Sequence, residues 1–235
     1  MNIGIIVAMD KELQLLLPLL QNLRETQIDD STFYLGDNEN NSVVIMKCGI
    51  GKVNAALSAG EMIRQFAPDL IINTGVAGGT GSQAKVLDVV VGSRIAYHDV
   101  WCGPGTEEGQ AARCPRFFES AASIANLPCL NDNPHIHHGL IASGDIFVSR
   151  VADVRRIKEL YPDVLAVDME SAAIAHVCHL KSTPFFCLRI VSDTPGEADN
   201  IAQYDQFWEI APRQSFEIIN QVLEAVGEKG EDADE

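Results

Sequence analysis

The sequence predicts an α/β fold built on a mixed, largely parallel sheet. Apolar runs of strand length alternate with helix-like segments along most of the chain, which is the usual build of a parallel sheet with crossover helices. The stretch 164–193 shows this order most clearly, because a short strand, a helix over Asp168–Leu180 and a fully buried strand follow one another. Two adjacent strand-like segments at 32–35 and 42–47 indicate an antiparallel part.

Each further element follows from the spacing of apolar residues and from the residues that interrupt it. Residues 2–8 form a first strand, and a leucine-rich helix over Met9–Leu23 follows, with Pro18 as an expected kink. A turn at 36–38 separates the two adjacent strands, and a helix over 52–66 places its apolar residues on one face. We also expect strands at 70–73, 86–97, 139–142, 164–167 and 185–191, helices near 115–125 and from a Ser149 cap to Leu160, and a C-terminal helix over 203–226 that Pro212 breaks or kinks.

Length and composition favour a single domain over residues 1–227. The chain of 235 residues is 46% apolar, which suffices for a sizeable core, and neither a low-complexity linker nor an internal repeat divides it. Residues 228–235 hold five acids and one lysine, and we expect a disordered, solubilising tail there. The net charge of −16 argues against nucleic acid as a partner, because nucleic-acid binders present a basic face.

The cysteines and the apolar runs predict a cytoplasmic location. The six cysteines show no regular framework, and several lie in apolar runs as small buried residues do, which suits a reducing compartment. The N-terminal apolar run is short, lacks a basic lead and meets Asp10 at once, so we interpret it as a core strand rather than a signal peptide. No stretch approaches the roughly 20 apolar residues of a transmembrane helix, and we therefore expect no membrane partner.

Three carboxylates are the first candidates for function. Glu12, Glu170 and Asp193 all occupy the carboxyl ends of predicted strands or the helix starts beyond them. In open α/β sheets ligands bind at this edge, so residues far apart in sequence can meet there. Three carboxylates at one edge suit acid–base work on a cation-like transition state. Arg189 lies inside the last predicted strand, and we expect these acids to be the partners of its buried charge.

Two other motifs are less specific. The glycine-rich segment 75–81 fits no phosphate-loop pattern, and it is either a tight strand-to-helix turn or a place where backbone approaches a ligand closely. His176 and His179 flank Cys178 on a predicted helix, and a second histidine group lies at 135–138. Helical His and Cys on a buried face are more often core and cap residues than ligands, so we predict no metal site.

Six segments together resemble the nucleoside phosphorylase/hydrolase superfamily and, more closely, its 5′-methylthioadenosine/S-adenosylhomocysteine nucleosidases. They keep the family's order and spacing and span nearly the whole chain, and the most specific are VDMESAAIAHVCH and the RxxSD that ends at Asp193. The six are IGIIVAMDKEL (3–13), GIGKVNAA (49–56), DLIINTGVAGG (69–79), ASGDIFV (142–148), AVDMESAAIAHVCH (166–179) and LRIVSD (188–193).

The resemblance implies a three-layer αβα fold, a homodimer and cleavage of the adenine–ribose bond in methionine salvage, without a metal or organic cofactor. Asp193 matches the acid at the purine N7, Glu12 the base for the attacking water, and Glu170 the carboxylate on the ribose hydroxyls. Further matches are Met169 against the sugar, Phe147, Val148, Ala77 and Gly78 around the purine, Ser192 and Arg189 in support of Asp193 and the water site, and Ile50 and Tyr204 at the 5′ substituent.

Some positions depart from the family's pattern. Val76 stands where a serine is common, and Leu87 stands where glycine is usual. The loop 97–110 is shorter than usual in a region that commonly reaches a partner subunit's site. Tyr204 replaces a more usual phenylalanine, so the pocket for the 5′ group is expected to be more polar. These changes bear on the preferred 5′ group rather than on the bond that is broken.

Three alternative functions follow from the same residues. A nucleoside phosphorylase would need cations for phosphate, whereas Asp10 and Glu12 follow the first strand here and would repel it. A hydrolase of futalosine or aminodeoxyfutalosine would use the same chemistry, and the sequence leaves this substrate open. A non-catalytic nucleoside-binding protein is expected to lack a catalytic carboxylate, yet all three are present.

Overall fold

The computed structural model describes residues 1–81, 83–195, 200–210 and 212–231. Ten strands alternate with eight helices in these ranges. The strands are β1 (Asn2–Val7), β2 (Gln21–Ile28), β3 (Ser31–Asn38), β4 (Asn41–Lys47), β5 (Leu70–Gly79), β6 (Val89–Tyr97), β7 (Phe118–Glu119), β8 (Ile136–Ser143), β9 (Val164–Asp168) and β10 (Phe185–Asp193). The helices are α1 (Asp10–Leu16), α2 (Lys52–Phe66), α3 (Ala122–Ala125), α4 (Pro128–Asn131), α5 (Val151–Leu160), α6 (Ser171–Lys181), α7 (Asn200–Ile210) and α8 (Pro212–Glu231).

A single mixed sheet runs through the molecule in the order β10-β6-β8-β9-β5-β1-β4-β3-β2, with β7 beside β6. Its centre is parallel, since β5 pairs in parallel with β1 and β10, and β1 with β4. The hairpin strands β2 and β3 extend one end in antiparallel fashion. At the other end β10 pairs with both β6 and β5, so that β5, β9, β8, β6 and β10 form a closed ring. The predicted mixed sheet is confirmed.

Helices cover both faces of this sheet because its strands alternate. In β1, Ile3 and Ile5 face a core formed with α1, α3, α4 and α8, whereas Ile6 faces a second core formed with α2 and α6. Ile157 of α5 closes a smaller third core over β8 and β9. The α/β class with helices on both sides is therefore confirmed. Among the described residues, no helix is both long and apolar enough to cross a membrane.

The edge hairpin β2–β3 differs from the prediction. The helix predicted over Met9–Leu23 ends at Leu16, Pro18 lies in a short 3₁₀ turn, and residues 21–28 form β2. This strand is mostly exposed and lacks an apolar alternation, so only its pairing with β3 defines it. The turn predicted at 36–38 is also wrong, because β3 continues through Gly36, where an added Cβ would lie 2.6 Å from the Gln21 carbonyl oxygen.

Other boundaries also differ from the prediction. The helix expected near 115–125 is replaced by β7 and the short helices α3 and α4. The N-cap of α5 is Arg150 rather than Ser149, and no side chain caps this helix. Pro212 is the first residue of α8, so the predicted break lies there. Helix α8 continues to Glu231 and includes the first four residues of the predicted disordered tail; residues 232–235 lie outside the described part.

Candidate active site

One pocket opens at the carboxyl ends of β1, β5, β9 and β10, where the sequence analysis placed the carboxylates. It encloses an empty volume of about 610 Å³, open mouth included, and its surface is mainly apolar. All the predicted site residues except Arg189 line it, namely Glu12, Ile50, Ala77, Gly78, Phe147, Val148, Met169, Glu170, Ser192, Asp193 and Tyr204.

Glu12 is held at the start of α1 by backbone amides alone. The amides of Ala8 and Met9 each donate to its Oε2 at 2.9 Å, and the amide of Val76 donates to its Oε1 at 3.0 Å. Burial raises the pKa of Glu12, although these hydrogen bonds and the charge of Arg189 act to lower it. The carboxylate is fixed in one orientation, and its raised pKa makes it a better base than an exposed glutamate.

Gly75 leaves the space that Glu12 occupies. Its φ of +145° is rare for residues with a side chain, and an added Cβ would lie 2.4 Å from Glu12 Oε1. The glycine-rich segment therefore brings strand β5 close to a catalytic candidate. Of the two interpretations of this segment, close approach is the one that the geometry favours.

Glu170 lies at the N-cap of α6, immediately after β9. Its Oε1 accepts a hydrogen bond from the Gly51 amide at 2.8 Å, which connects it to the start of α2. Burial and the neighbouring charge of Asp168 raise its pKa to about 7, against the lowering effects of Gly51 and Arg189. A carboxylate in this position can accept hydrogen bonds from a ligand's hydroxyl groups when it is ionised.

Asp193 is the last residue of β10 and is 3% exposed. The Ser192 hydroxyl donates to its Oδ1 at 2.7 Å, and a register irregularity after Val191 sets Asp193 opposite Gly78 of β5. Gly78 is required here, because an added Cβ would lie 2.5 Å from Pro195 Cγ. The sheet thus holds this carboxyl group at the pocket wall, in the position expected from the sequence.

Arg189 contacts a different acid from those predicted. Its Nε donates to Asp168 Oδ2 at 2.8 Å, and its Nη2 donates to Asn73 Oδ1 at 2.6 Å. Its guanidinium is 2% exposed and lies behind the pocket rather than in its lining. The expectation that Glu12, Glu170 or Asp193 would pair with it is therefore corrected. The charge of Arg189 acts on Glu12 and Glu170 at longer range, and it opposes the increase in their pKa values that burial causes.

Aromatic and apolar side chains form the mouth of the pocket. Phe147 is 54% exposed and meets Tyr204 edge to face, with 6.2 Å between ring centroids. The Tyr204 hydroxyl donates to Met9 Sδ at 3.4 Å, a weak acceptor that leaves the hydroxyl able to exchange partners. Ile50, also 54% exposed, completes the mouth. Half-exposed rings and apolar side chains around a polar floor are typical of a site that encloses a ligand.

Several residues in or behind the pocket were not among the predicted site residues. Asp168, Met9 and Ile146 line the pocket, and Asn73 orients Arg189. Asp168 was visible as part of the acidic cluster that also contains Glu170, and a buried arginine required such a partner. No local pattern marks Asn73, since its role depends on the pairing of β5 with β10.

The histidines lie outside the pocket lining. His176 contacts the Tyr97 hydroxyl through Nδ1 at 3.2 Å and Cys114 Sγ through Nε2 at 3.0 Å, and it stacks on Phe118. In the second group, His135 and His137 contact Asp88. Within the described ranges, no three His, Cys, Asp or Glu side chains converge in an arrangement that could hold a metal ion.

The arrangement can act on a bond between a sugar and a base. The carboxyl groups of Glu12, Glu170 and Asp193 come from three different parts of the chain and all line this one pocket. Such a set can protonate a leaving group, activate water and hold a sugar without a metal ion.

Comparisons with known proteins identify the family. Residues 2–224 match the family model described as the phosphorylase superfamily. A 5′-methylthioadenosine/S-adenosylhomocysteine nucleosidase from Actinobacillus succinogenes is 37% identical over 93% of this chain and 96% of its own length. The structure of the nucleosidase of that name from S. pneumoniae, with the transition-state inhibitor MT-ImmA, is 36% identical, has a TM-score of 0.91 and is matched over 96% of this chain and all of its own.

A structure of a futalosine hydrolase mutant from Helicobacter pylori is also similar, at 27% identity and a TM-score of 0.86, over 95% of this chain and 98% of its own. Its sequence identity to this chain is lower by about a quarter than that of the S. pneumoniae nucleosidase, although its fold matches that of this chain almost as well. This chain belongs to the phosphorylase superfamily and, within it, to the 5′-methylthioadenosine/S-adenosylhomocysteine nucleosidases, which are N-glycosyl hydrolases.

Proposed function

We propose that this protein hydrolyses the adenine–ribose bond of 5′-methylthioadenosine and S-adenosylhomocysteine. The products are adenine and either 5′-methylthioribose or S-ribosylhomocysteine, and the reaction serves methionine salvage. The observation that carries the proposal is the convergence of Glu12, Glu170 and Asp193 on one largely apolar pocket. No metal or organic cofactor takes part in the proposed reaction.

Asp193 acts as the acid at the purine. Breaking the bond leaves negative charge on the departing adenine, and a carboxylic acid at N7 neutralises it. The burial of Asp193 and the hydrogen bond from Ser192 support this role, because burial shields the carboxyl group from bulk solvent and the hydrogen bond fixes its orientation. Phe147 and Val148 cover the purine, and Ala77 and Gly78 form the opposite wall.

Glu12 acts as the base for the attacking water. Water is a poor nucleophile, and a carboxylate with a raised pKa removes its proton as it attacks the sugar. The three backbone amides that hold Glu12 support this role. They fix the orientation of the carboxylate, and none of them is a side chain that could compete for the proton of the water. Arg189, held by Asp168 and Asn73 behind the pocket, offsets the negative charge of the site.

Glu170 and Met169 bind the ribose. Ionised Glu170 accepts hydrogen bonds from the sugar hydroxyls while Met169 packs against the ring, and this orients the anomeric carbon between acid and base. The 5′ substituent then extends toward Ile50 and Tyr204 at the mouth. The Tyr204 hydroxyl offers one polar group there, and it contacts the Met9 thioether, a weak acceptor.

Two alternatives differ from this proposal in substrate. A phosphorylase is disfavoured because none of the described residues that line the pocket is lysine or arginine, whereas a phosphate dianion requires cations. Aminodeoxyfutalosine has the same adenine and ribose and would use the same carboxylates. It differs only at the 5′ end, where Tyr204 and Ile50 lie.

The test is adenine release from methylthioadenosine, S-adenosylhomocysteine and aminodeoxyfutalosine, each measured with and without phosphate. We expect fast release from the first two and no dependence on phosphate. Release that requires phosphate would make the protein a phosphorylase. Release from aminodeoxyfutalosine alone would replace the substrate, and binding of adenine without turnover of any nucleoside would contradict an enzymatic function.

We further propose a homodimer in a reducing cytoplasm. Val53 and Leu57 are each 69% exposed, one turn apart on α2, and Leu180 on the neighbouring α6 is 65% exposed. A second copy would cover this apolar face and bring its 97–110 loop toward the pocket. The free state of all six cysteines supports a reducing compartment. Light scattering should give twice the chain mass, and Leu57→Glu should give a monomer; a monomeric wild-type protein would contradict the dimer.

A further inference from the structure

Two walls of the pocket belong to different parts of the chain. One wall carries Glu170 and Ile50, at the starts of α6 and α2. The other carries Phe147 and Val148, in the segment that follows β8. A nucleoside must touch both walls at once, so the distance between them has to be set by residues that bridge them.

Lys52, the first residue of α2, forms such a bridge. Its Nζ lies 2.8 Å from Asp99 Oδ2 and 3.9 Å from Asp145 Oδ2. Its backbone amide donates to Asp145 Oδ1 at 2.8 Å. The preceding amide, that of Gly51, donates to Glu170. Two consecutive amides at one helix N-terminus therefore bind Glu170 of one wall and Asp145, which precedes the other wall by two residues. The helix dipole favours negative charge at this position.

Asp99 anchors the same turn from the other side. Its Oδ2 also accepts a hydrogen bond from the Asp145 amide at 2.8 Å, two residues before Phe147. The neighbouring residues His98 and Gly144 are in tight contact, since a Cβ on Gly144 would lie 2.5 Å from His98 Cε1. The side chains of Lys52 and Asp99 are only 21% and 15% exposed, so water screens this pair less than a surface ion pair.

We propose that Lys52, Asp99 and Asp145 form a latch that sets the separation between the ribose-binding and purine-binding walls. The inference rests on the proposed function, and it makes these three positioning residues, because none of them lies in the pocket lining. The latch acts on geometry: it holds Phe147 over the purine while Glu170 holds the sugar. A displacement of about 1 Å between such groups is enough to cost roughly a hundredfold in rate.

The test compares Lys52→Met, Asp99→Ala and the double variant with wild type. Steady-state kinetics use methylthioadenosine, and calorimetry measures the affinity for free adenine. We expect kcat/KM to fall roughly tenfold to a hundredfold, with part of the loss in kcat. The affinity for adenine should change far less, because adenine contacts the purine-binding wall but not the ribose-binding wall. The double variant should be about as slow as the slower single variant, and Lys52→Arg should recover most of the rate.

The matched control is Arg64→Met, which removes an exposed ion pair with Glu61 on the same helix α2. It should leave both quantities unchanged. Equal losses of adenine affinity and kcat/KM, or a Lys52→Met enzyme as fast as wild type, would overturn the latch.

Hydrogen–deuterium exchange of residues 143–148 tests the latch without any turnover. Lys52→Met should speed exchange there in the ligand-free protein, and an unchanged rate counts against the proposal. This readout separates the two hypotheses: a wild-type protein that hydrolyses no nucleoside refutes the proposed function, whereas the exchange result still decides the latch.

Discussion

Asp88 and Glu170 are exposed to nearly the same extent, 8% and 7%, yet their pKa values shift in opposite directions. Burial opposes ionisation of Asp88, but hydrogen bonds from the Lys85 amide, His135 and His137 together outweigh it and lower its pKa. Burial also opposes ionisation of Glu170, and there the adjacent negative charge of Asp168 adds to it, so that its pKa rises to about 7.

The surroundings rather than the exposed fraction distinguish Asp88, a structural acid, from Glu170, which we propose binds the ribose. Asp88 lies just beneath the surface behind His135, whose side chain is 76% exposed, and its ring and amide partners complete its hydrogen bonds. Glu170 lies in a pocket, shares its surroundings with Asp168 and Glu12, and is held by the single amide of Gly51. Like charges gathered around an accessible space are what a catalytic site requires.

The largest expected loss of rate follows from changes to the pocket carboxylates Asp193 and Glu12. Asp193→Asn should lower kcat by roughly a hundredfold to ten-thousandfold, because the amide cannot give a proton to the purine, and Glu12→Gln should behave similarly because water loses its base. Steady-state kinetics with circular dichroism would check rate and fold together. A folded Asp193→Asn protein with near-normal turnover would refute the assigned role.

A smaller loss of rate should follow from Gly75→Ala. The new Cβ would lie 2.4 Å from Glu12 Oε1, and the displaced base should lower kcat by about a hundredfold. The matched control is Gly60→Ala in α2, where an added Cβ meets nothing within 4 Å. That variant should keep its rate and gain roughly 0.5–1 kcal/mol in unfolding free energy. Equal rates for both variants would show that the position of Glu12 does not matter.

The pH dependence should reveal Glu170 itself. Since its pKa is raised to about 7, protonation below that pH removes an acceptor of the ribose hydroxyls, and kcat/KM should fall as the pH drops. A pH–rate profile with methylthioadenosine measures this. In Glu170→Gln the rate should be low throughout and this acidic limb should disappear; an unchanged limb would assign it to another group.

Asp88→Asn should change stability and not rate. Losing the carboxylate between the two histidines should lower the unfolding free energy by roughly 1–2 kcal/mol, measured by urea denaturation. The pKa of Asp88 is lower in the folded protein than in the unfolded chain. Its contribution to stability is therefore fully present above the unfolded-state pKa of about 3.9, and it is lost as the pH falls through the lower pKa of the folded state. A large drop in kcat at unchanged stability would contradict the structural role.

The smallest effect is expected next to Asp88. Leu87 has a φ of +77°, a conformation that costs a residue with a side chain about 1 kcal/mol. Leu87→Gly should therefore raise the unfolding free energy by up to that amount, less the entropy that glycine loses on folding. Thermal denaturation would show a melting temperature higher by about 2 °C at most, and a lower one would mean that packing of the leucine outweighs the strain.

Much of the active site could be predicted from the sequence. Glu12, Glu170 and Asp193 each follow an apolar run, and the carboxyl ends of neighbouring strands meet at one edge of a sheet. The partner of Arg189 could not be predicted. The sequence pattern places Asp168, Glu12, Glu170 and Asp193 at the same edge of the sheet, and only the strand register shows which of them contacts Arg189. The same limit applies to Lys52 and Asp99, which are 47 positions apart in the chain.

The sequence alone was enough to predict the α/β class, the order of most elements and the three carboxylates that line the pocket. It could do so because apolar periodicity is local and buried strands are strongly patterned. Only the tertiary structure decided that residues 21–28 are a strand, that the sheet closes through β10 and β5, and that Asp168 rather than Asp193 pairs with Arg189. These features depend on contacts between distant segments, whose free energy no single stretch of sequence contains.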